Sequence, residues 1–113
     1  MYAVIFEVQP KPGREKDYFA IAQKLSAELE KIEGFISVER FASLYNQGKI
    51  LSLSFWRDEA AVERWRSHAA HREAQRRGRG EIFADYRIRV ASVVRDYGMT
   101  ERAQAPNSKS LSR

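Results

Sequence analysis

The chain has 113 residues, 43% hydrophobic and 31% charged, and no cysteine, which allows one core and excludes disulfides, thiolate metal sites, iron–sulfur clusters and cysteine nucleophiles. The net charge of +5 belongs partly to the end of the chain, where Arg102, Lys109 and Arg113 stand against Glu101, and the main basic cluster, Arg64 to Arg79, is interrupted by Glu63 and Glu73 as on a solvated helix face, so no nucleic-acid partner is expected. No run approaches the roughly 20 apolar residues of a membrane span and the start MYAVIFEVQPKPG lacks a signal-peptide pattern, so no membrane partner and a cytoplasmic address are expected.

Tyr2 to Gln9 is β-branched and aromatic with both alternating sets apolar, which predicts a first strand covered on both faces. Pro10, Pro12 and Gly13 stop it. From about Arg14, the positions Tyr18, Ile21, Ala22, Leu25, Leu29 and Ile32 recur at three and four residues, the period of an amphipathic helix that Gly34 ends. Phe35 to Tyr45 reads as a second strand, Asn46-Gln47-Gly48 as a hairpin turn and Lys49 to Trp56 as an antiparallel third strand. Asp58 is a good N-cap for a second helix with Ala61, Val62, Trp65, His68 and Ala69 on one face, extended from His71 to Arg77 and closed by Gly78 and Gly80. Ile82 to Tyr97 alternates as a last strand, and at sixteen residues it is far longer than usual, which implies a bulge or pairing with another chain.

The order βαββαβ predicts an α+β, ferredoxin-like domain over residues 1–97, with two helices on one face of an antiparallel sheet. Residues 98–113 are polar and aperiodic, which predicts a disordered tail. Strands one and three are apolar on both sides, so the second sheet face also needs a cover. A second copy in a homodimer is the most economical one.

No P-loop, GxGxxG, GxSxG or HExxH motif is present, so phosphate cradles, dinucleotide binding and serine hydrolysis lack support. His68 and His71, three apart, could share a metal only with a third ligand from elsewhere, so no metal site is expected. They remain candidates as bases, because imidazole titrates near neutral pH. Trp65 lies one turn before His68 and Trp56 ends the third strand. Core packing is the plain reading for both, but Trp65, a histidine and the Tyr86 phenol could converge on a cavity between the second helix and the sheet, with Trp56 as a further wall. Arg87 and Arg89 face opposite to Tyr86, toward a partner or solvent.

FWRDEAAVERWRSHAAHREAQRRGR followed by IFADYRIRVASVVRDY resembles the antibiotic biosynthesis monooxygenase family. The resemblance covers about residues 1–97 and rests on a tryptophan ending strand three, an alanine-bearing helix start, a Trp and His segment and a long final strand. It implies a dimeric α/β barrel and a monooxygenase that uses no metal, flavin or other cofactor and oxidises a small electron-rich aromatic substrate of phenol, quinol or anthrone type with dioxygen. His68 or His71 would then be the catalytic base, with Trp65, Tyr86 and Trp56 binding substrate. Aromatic-oxidising relatives carry an asparagine one turn before the tryptophan, where this chain has Ala61 and Val62. Haem-degrading relatives use a strand-one asparagine and a later histidine, where this chain has Glu7 and Gln75, so haem degradation is the weaker enzyme reading. The alternative is a non-catalytic small-ligand-binding dimer of the same fold.

Overall fold

The computed structural model describes residues 1–106. Its elements are strand β1 (Tyr2–Pro10), helix α1 (Glu15–Leu29), strands β2 (Phe35–Ala42) and β3 (Ile50–Trp56), helices α2 (Glu59–Arg66) and α3 (Ala69–Arg77), one π turn (Gly78–Ile82) and strand β4 (Phe83–Ser92). All strand pairs are antiparallel in the order β2-β3-β1-β4, the ferredoxin-like arrangement with β1 and β3 at the centre.

The registers assign each side chain to a face. Val4 pairs with Ser54 and Val90, and Ser54 in turn with Val38; Phe6 pairs with Ser52 and Ile88, and Ser52 with Arg40. This set lies under the helices. Ala3, Ile5 and Glu7, beside Phe55, Leu53 and Leu51, form the other face. Two buried clusters hold helices and sheet together. Leu29, Trp56, Ala61 and Val62 form one, with Trp65, Val4 and Val38 against it; Val8, Tyr18 and Ile82 form the other, with Phe6 and Phe83.

The second helix is broken where the sequence suggests one continuous run. His68 adopts extended backbone (φ −68°, ψ 135°), and its Nδ1 accepts the Ala70 N–H at 3.2 Å, so it caps α3. Asp58 caps α2 as expected by accepting the Ala61 N–H at 2.9 Å. Gly34 (φ +92°) lies so close to α2 that an added Cβ would stand 2.6 Å from the Ala61 Cβ, which locks the β2 entrance to that helix.

Two strands are shorter than their alternation suggests. β2 stops at Ala42, because the Ser43 hydroxyl takes the Tyr45 and Asn46 N–H groups into a turn. The last strand covers Phe83–Ser92, not Ile82 to Tyr97. Its last rungs are Ser92 with Tyr2 and the Val93 N–H donating to the Met1 carbonyl, and no further rung is present among the described residues. Ile82 belongs to the π turn and is fully buried. A register shift also interrupts the β1–β4 ladder at Gln9/Pro10, since proline has no N–H to donate. Residues 98–106 form turns, with the Asp96 N–H bonded to Gln104 and Arg102 over the Tyr97 ring. The rest of the tail expectation, residues 107–113, lies outside the described residues. Among the described residues no helix is long and apolar enough to cross a membrane.

Candidate functional site

A cavity of about 420 Å³ lies between the helices and the sheet, in the size range of small-molecule sites. It runs between the two buried clusters, with Leu29, Val62 and Trp65 from one and Phe6, Tyr18 and Phe83 from the other along its wall. Val4, Val38 and Leu25 line its midsection, with Ser54 between the two valines. Ile88 and Val90 of β4, 40% and 51% exposed, form an open stretch of its wall, and the exposed Arg66 side chain forms another.

Besides Ser52 and Ser54 of β3, Arg66 of α2 and Gln75 of α3, its polar groups gather at two places. At the Trp65 end, the indole and the His71 imidazole are 4.9 Å apart between ring centres. His71 lines the cavity, and its Nδ1 is buried without a hydrogen-bond partner among the described residues. Burial lowers its pKa below the ordinary histidine value, with the His68 and Arg66 charges acting the same way and the Arg66 main chain opposing. The ring is therefore neutral at pH 7 and has a lone pair free to take a proton. At the other end stand Arg40 and Tyr18. Tyr18 is buried, and burial raises its pKa despite the nearby Arg40 guanidinium. Arg40 Nε is buried without a partner among the described residues.

Trp65 and His71 share the cavity; His68 stacks on Trp65 at 5.5 Å but does not line it. The His68 Nδ1 is taken by the α3 cap, and its Nε2 lies 3.7 Å from Glu28 of α1. Trp56, 0% exposed, also lies outside the lining, its indole N–H donating to the Ser54 hydroxyl at 2.9 Å. Ser54 does line the cavity, so Trp56 touches it through that neighbour. Tyr86 packs beside Phe6 and Phe83, 36% exposed and outside the lining.

Sequence reasoning missed Arg40 and saw Tyr18 only as a helix-face residue. The signal for Arg40 was its place two residues after Val38, on the same face of β2. A charged residue on the inward face of a strand under two helices is unusual enough to mark a site.

This fold with one apolar cavity and converging polar groups defines a small-molecule-handling α+β domain. A sequence model of the antibiotic biosynthesis monooxygenase family matches residues 1–77, and the chain belongs to that family. It is 50% identical over 93 residues to "Jasmonate monooxygenase ABM" of Pyricularia oryzae, a match covering 82% of this chain and 43% of that protein. The chain thus corresponds to less than half the length of that relative. It is 31% identical over 94 residues to the uncharacterised protein YqjZ of Bacillus subtilis, covering 83% of this chain and 80% of YqjZ. Among solved structures, Rv0793 from Mycobacterium tuberculosis superposes with a TM-score of 0.77 at 16% identity, over 86% of this chain and 98% of that one. A crystal structure of an antibiotic biosynthesis monooxygenase gives 0.72 at 15% identity, over 83% and 99%. At such identities these structures speak for the shared fold.

Proposed function

We propose that this chain is a monooxygenase that uses dioxygen on a small electron-rich aromatic substrate, of phenol, quinol or anthrone type, with no metal or flavin. The observation that carries the reading is His71: a neutral imidazole on the wall of a largely apolar cavity beside Trp65, its Nδ1 without a partner among the described residues. Electron-rich substrates need only lose a proton to become able to reduce dioxygen, and a base in a dry pocket performs that step. For an anthrone-type substrate, His71 removes one proton from the reacting CH₂. The carbanion transfers electrons to dioxygen and forms a C–O bond, leaving a peroxide. The peroxide O–O bond breaks as the second C–H proton leaves, giving a ketone and water, so the substrate supplies all four electrons. In this reading Trp65 is the wall against which the aromatic ring stacks, His68 positions α3, and Trp56 acts through Ser54.

The relative named for jasmonate favours a second substrate reading, a jasmonate-type molecule in the same cavity. Oxygen uptake separates the two when the enzyme is tested with quinols and anthrones alone, and with jasmonate in the presence and absence of NADPH as a two-electron donor. Uptake with the aromatics alone is the expected result. Uptake only with jasmonate and the donor transfers the proposal to the second reading. Substrate binding with no uptake in any arm overturns the enzyme and leaves a binding protein.

We further propose a homodimer that covers the free face of the sheet. Ile5, Leu51, Leu53 and Phe55 lie there half-buried by their neighbours alone, beside Glu7, which accepts from Lys49 Nζ at 2.7 Å and Arg89 Nη1 at 2.6 Å. A 13 kDa species at micromolar concentration in light scattering would remove this proposal.

A further inference from the structure

The chemistry proposed above uses the Trp65–His71 end of the cavity and leaves Arg40, whose guanidinium meets the Tyr18 hydroxyl, with no part in it. A guanidinium is charged at any accessible pH and seeks a planar oxygen pair. Ion pairs among the described residues engage Arg14, Arg57, Arg66, Arg76, Arg77 and Arg89, but not Arg40. No Asp or Glu lines the cavity. The Arg40 Nε–H is thus a buried charged donor with nothing to receive it among the described residues, a condition proteins ordinarily avoid unless a ligand supplies the acceptor.

We propose that Arg40, with the Tyr18 hydroxyl beside it, seats the carboxylate of an apolar, single-headed acid whose body lies along Val4, Val38 and Leu25 toward Trp65 and His71. The inference rests on the reading above for the cavity and its base, and adds a carboxylate head at the end away from the reacting ring. Tyr18 suits the role because burial keeps its proton on, so it donates rather than competes as an anion. The cluster memberships support the polarity: Tyr18 packs with Val8 and Ile82, whereas Trp65 packs against the Trp56 cluster. A head bound at one end therefore presents the opposite end of the molecule to the base.

The test needs no turnover, so its failure is distinct from the failure of the oxygenase reading. N-phenyl-1-naphthylamine, a neutral dye that fluoresces in apolar cavities, is loaded into the full chain at pH 7.5 and displaced by decanoic acid or by its methyl ester. In the native protein the acid should act at about ten-fold lower concentration than the ester, the worth of one charge-assisted hydrogen bond. With displacement referenced to each variant's own dye affinity, Arg40→Met should lose that preference, while Arg72→Gln, on the exposed face of α3, should keep it. Tyr18→Phe should reduce it by a few-fold. Retention of the preference in Arg40→Met, or its loss in Arg72→Gln, overturns the proposal. Should Arg40→Met fail to fold, Arg40→Gln and the native comparison decide: an ester that competes as well as its acid overturns the proposal in any case.

Discussion

The two faces of the sheet solve the same burial problem in opposite ways. Under the helices, Trp56 and Val8 are fully buried, yet a cavity remains between their two clusters. Across the sheet, Ile5, Leu51, Leu53 and Phe55 form a continuous strip with no element of the described chain over it, flanked by Glu39 and Arg87 and carrying the Glu7 ion triad. Lys49 first and Arg89 second hold the Glu7 carboxyl below the usual carboxylate range, so the triad is charged at neutral pH. A face that packs against its own helices can leave a hollow for a ligand. A face of flat apolar strips with a fixed charge pattern suits a matching surface instead.

The comparison breaks most decisively at the histidines. His71→Ala should lower turnover by about two to four orders of magnitude, the usual worth of a general base, with the association state unchanged. His68→Ala should retain turnover within several-fold and cost about 1 kcal/mol in a thermal melt, because it removes a helix cap. Equal losses in both variants would mean that the α3 geometry, not the His71 base, sets the rate.

The adjacent residues Trp56 and Phe55 test the faces directly, since they point to opposite sides of β3. Trp56→Ala should cost about 3–5 kcal/mol in denaturant unfolding through the cavity it leaves. Phe55→Glu should leave the single-chain fold largely intact and abolish association in light scattering. Gly34→Ala comes next, at about 1–3 kcal/mol, because the new methyl meets the Ala61 side chain and the backbone has positive φ.

The smallest effect is on pH dependence. His71 titrates below its unfolded value of about 6.5, so its contribution to stability is complete above that pH and is lost as pH falls toward the folded value. The slope is at most about 1.4 kcal/mol per pH unit. In His71→Gln the slope below pH 6.5 should flatten, and in the native protein the rate should fall on the acid side of that pH as the base takes up a proton.

Much of this was legible in the sequence, for reasons that differ by residue. The alternation of Tyr2 to Gln9 and the three-and-four spacing from Tyr18 to Leu29 are local periods, and they marked β1, α1 and the burial of both sheet faces. Asp58 announced its helix because a cap depends only on residues within one turn. The same period overran β4, since alternation continues past Ser92 but says nothing about where the pairing with β1 ends.

The site was legible as a neighbourhood and not as an arrangement. Composition and spacing brought out Trp65, the histidine pair, Trp56 and Tyr86, but whether a side chain reaches a cavity depends on how α2 and α3 break and tilt over the sheet. That break at His68 turns one imidazole to a cap and the other to the cavity, three residues apart on what reads as a single helix. Arg40 shares a cavity with Tyr18 and His71, 22 and 31 positions away in sequence, which no local period encodes. The sequence by itself determined the order of elements and which faces are apolar, because those follow from backbone periods. The tertiary structure alone decided which polar groups share the cavity, because that is set by the packing of elements against one another.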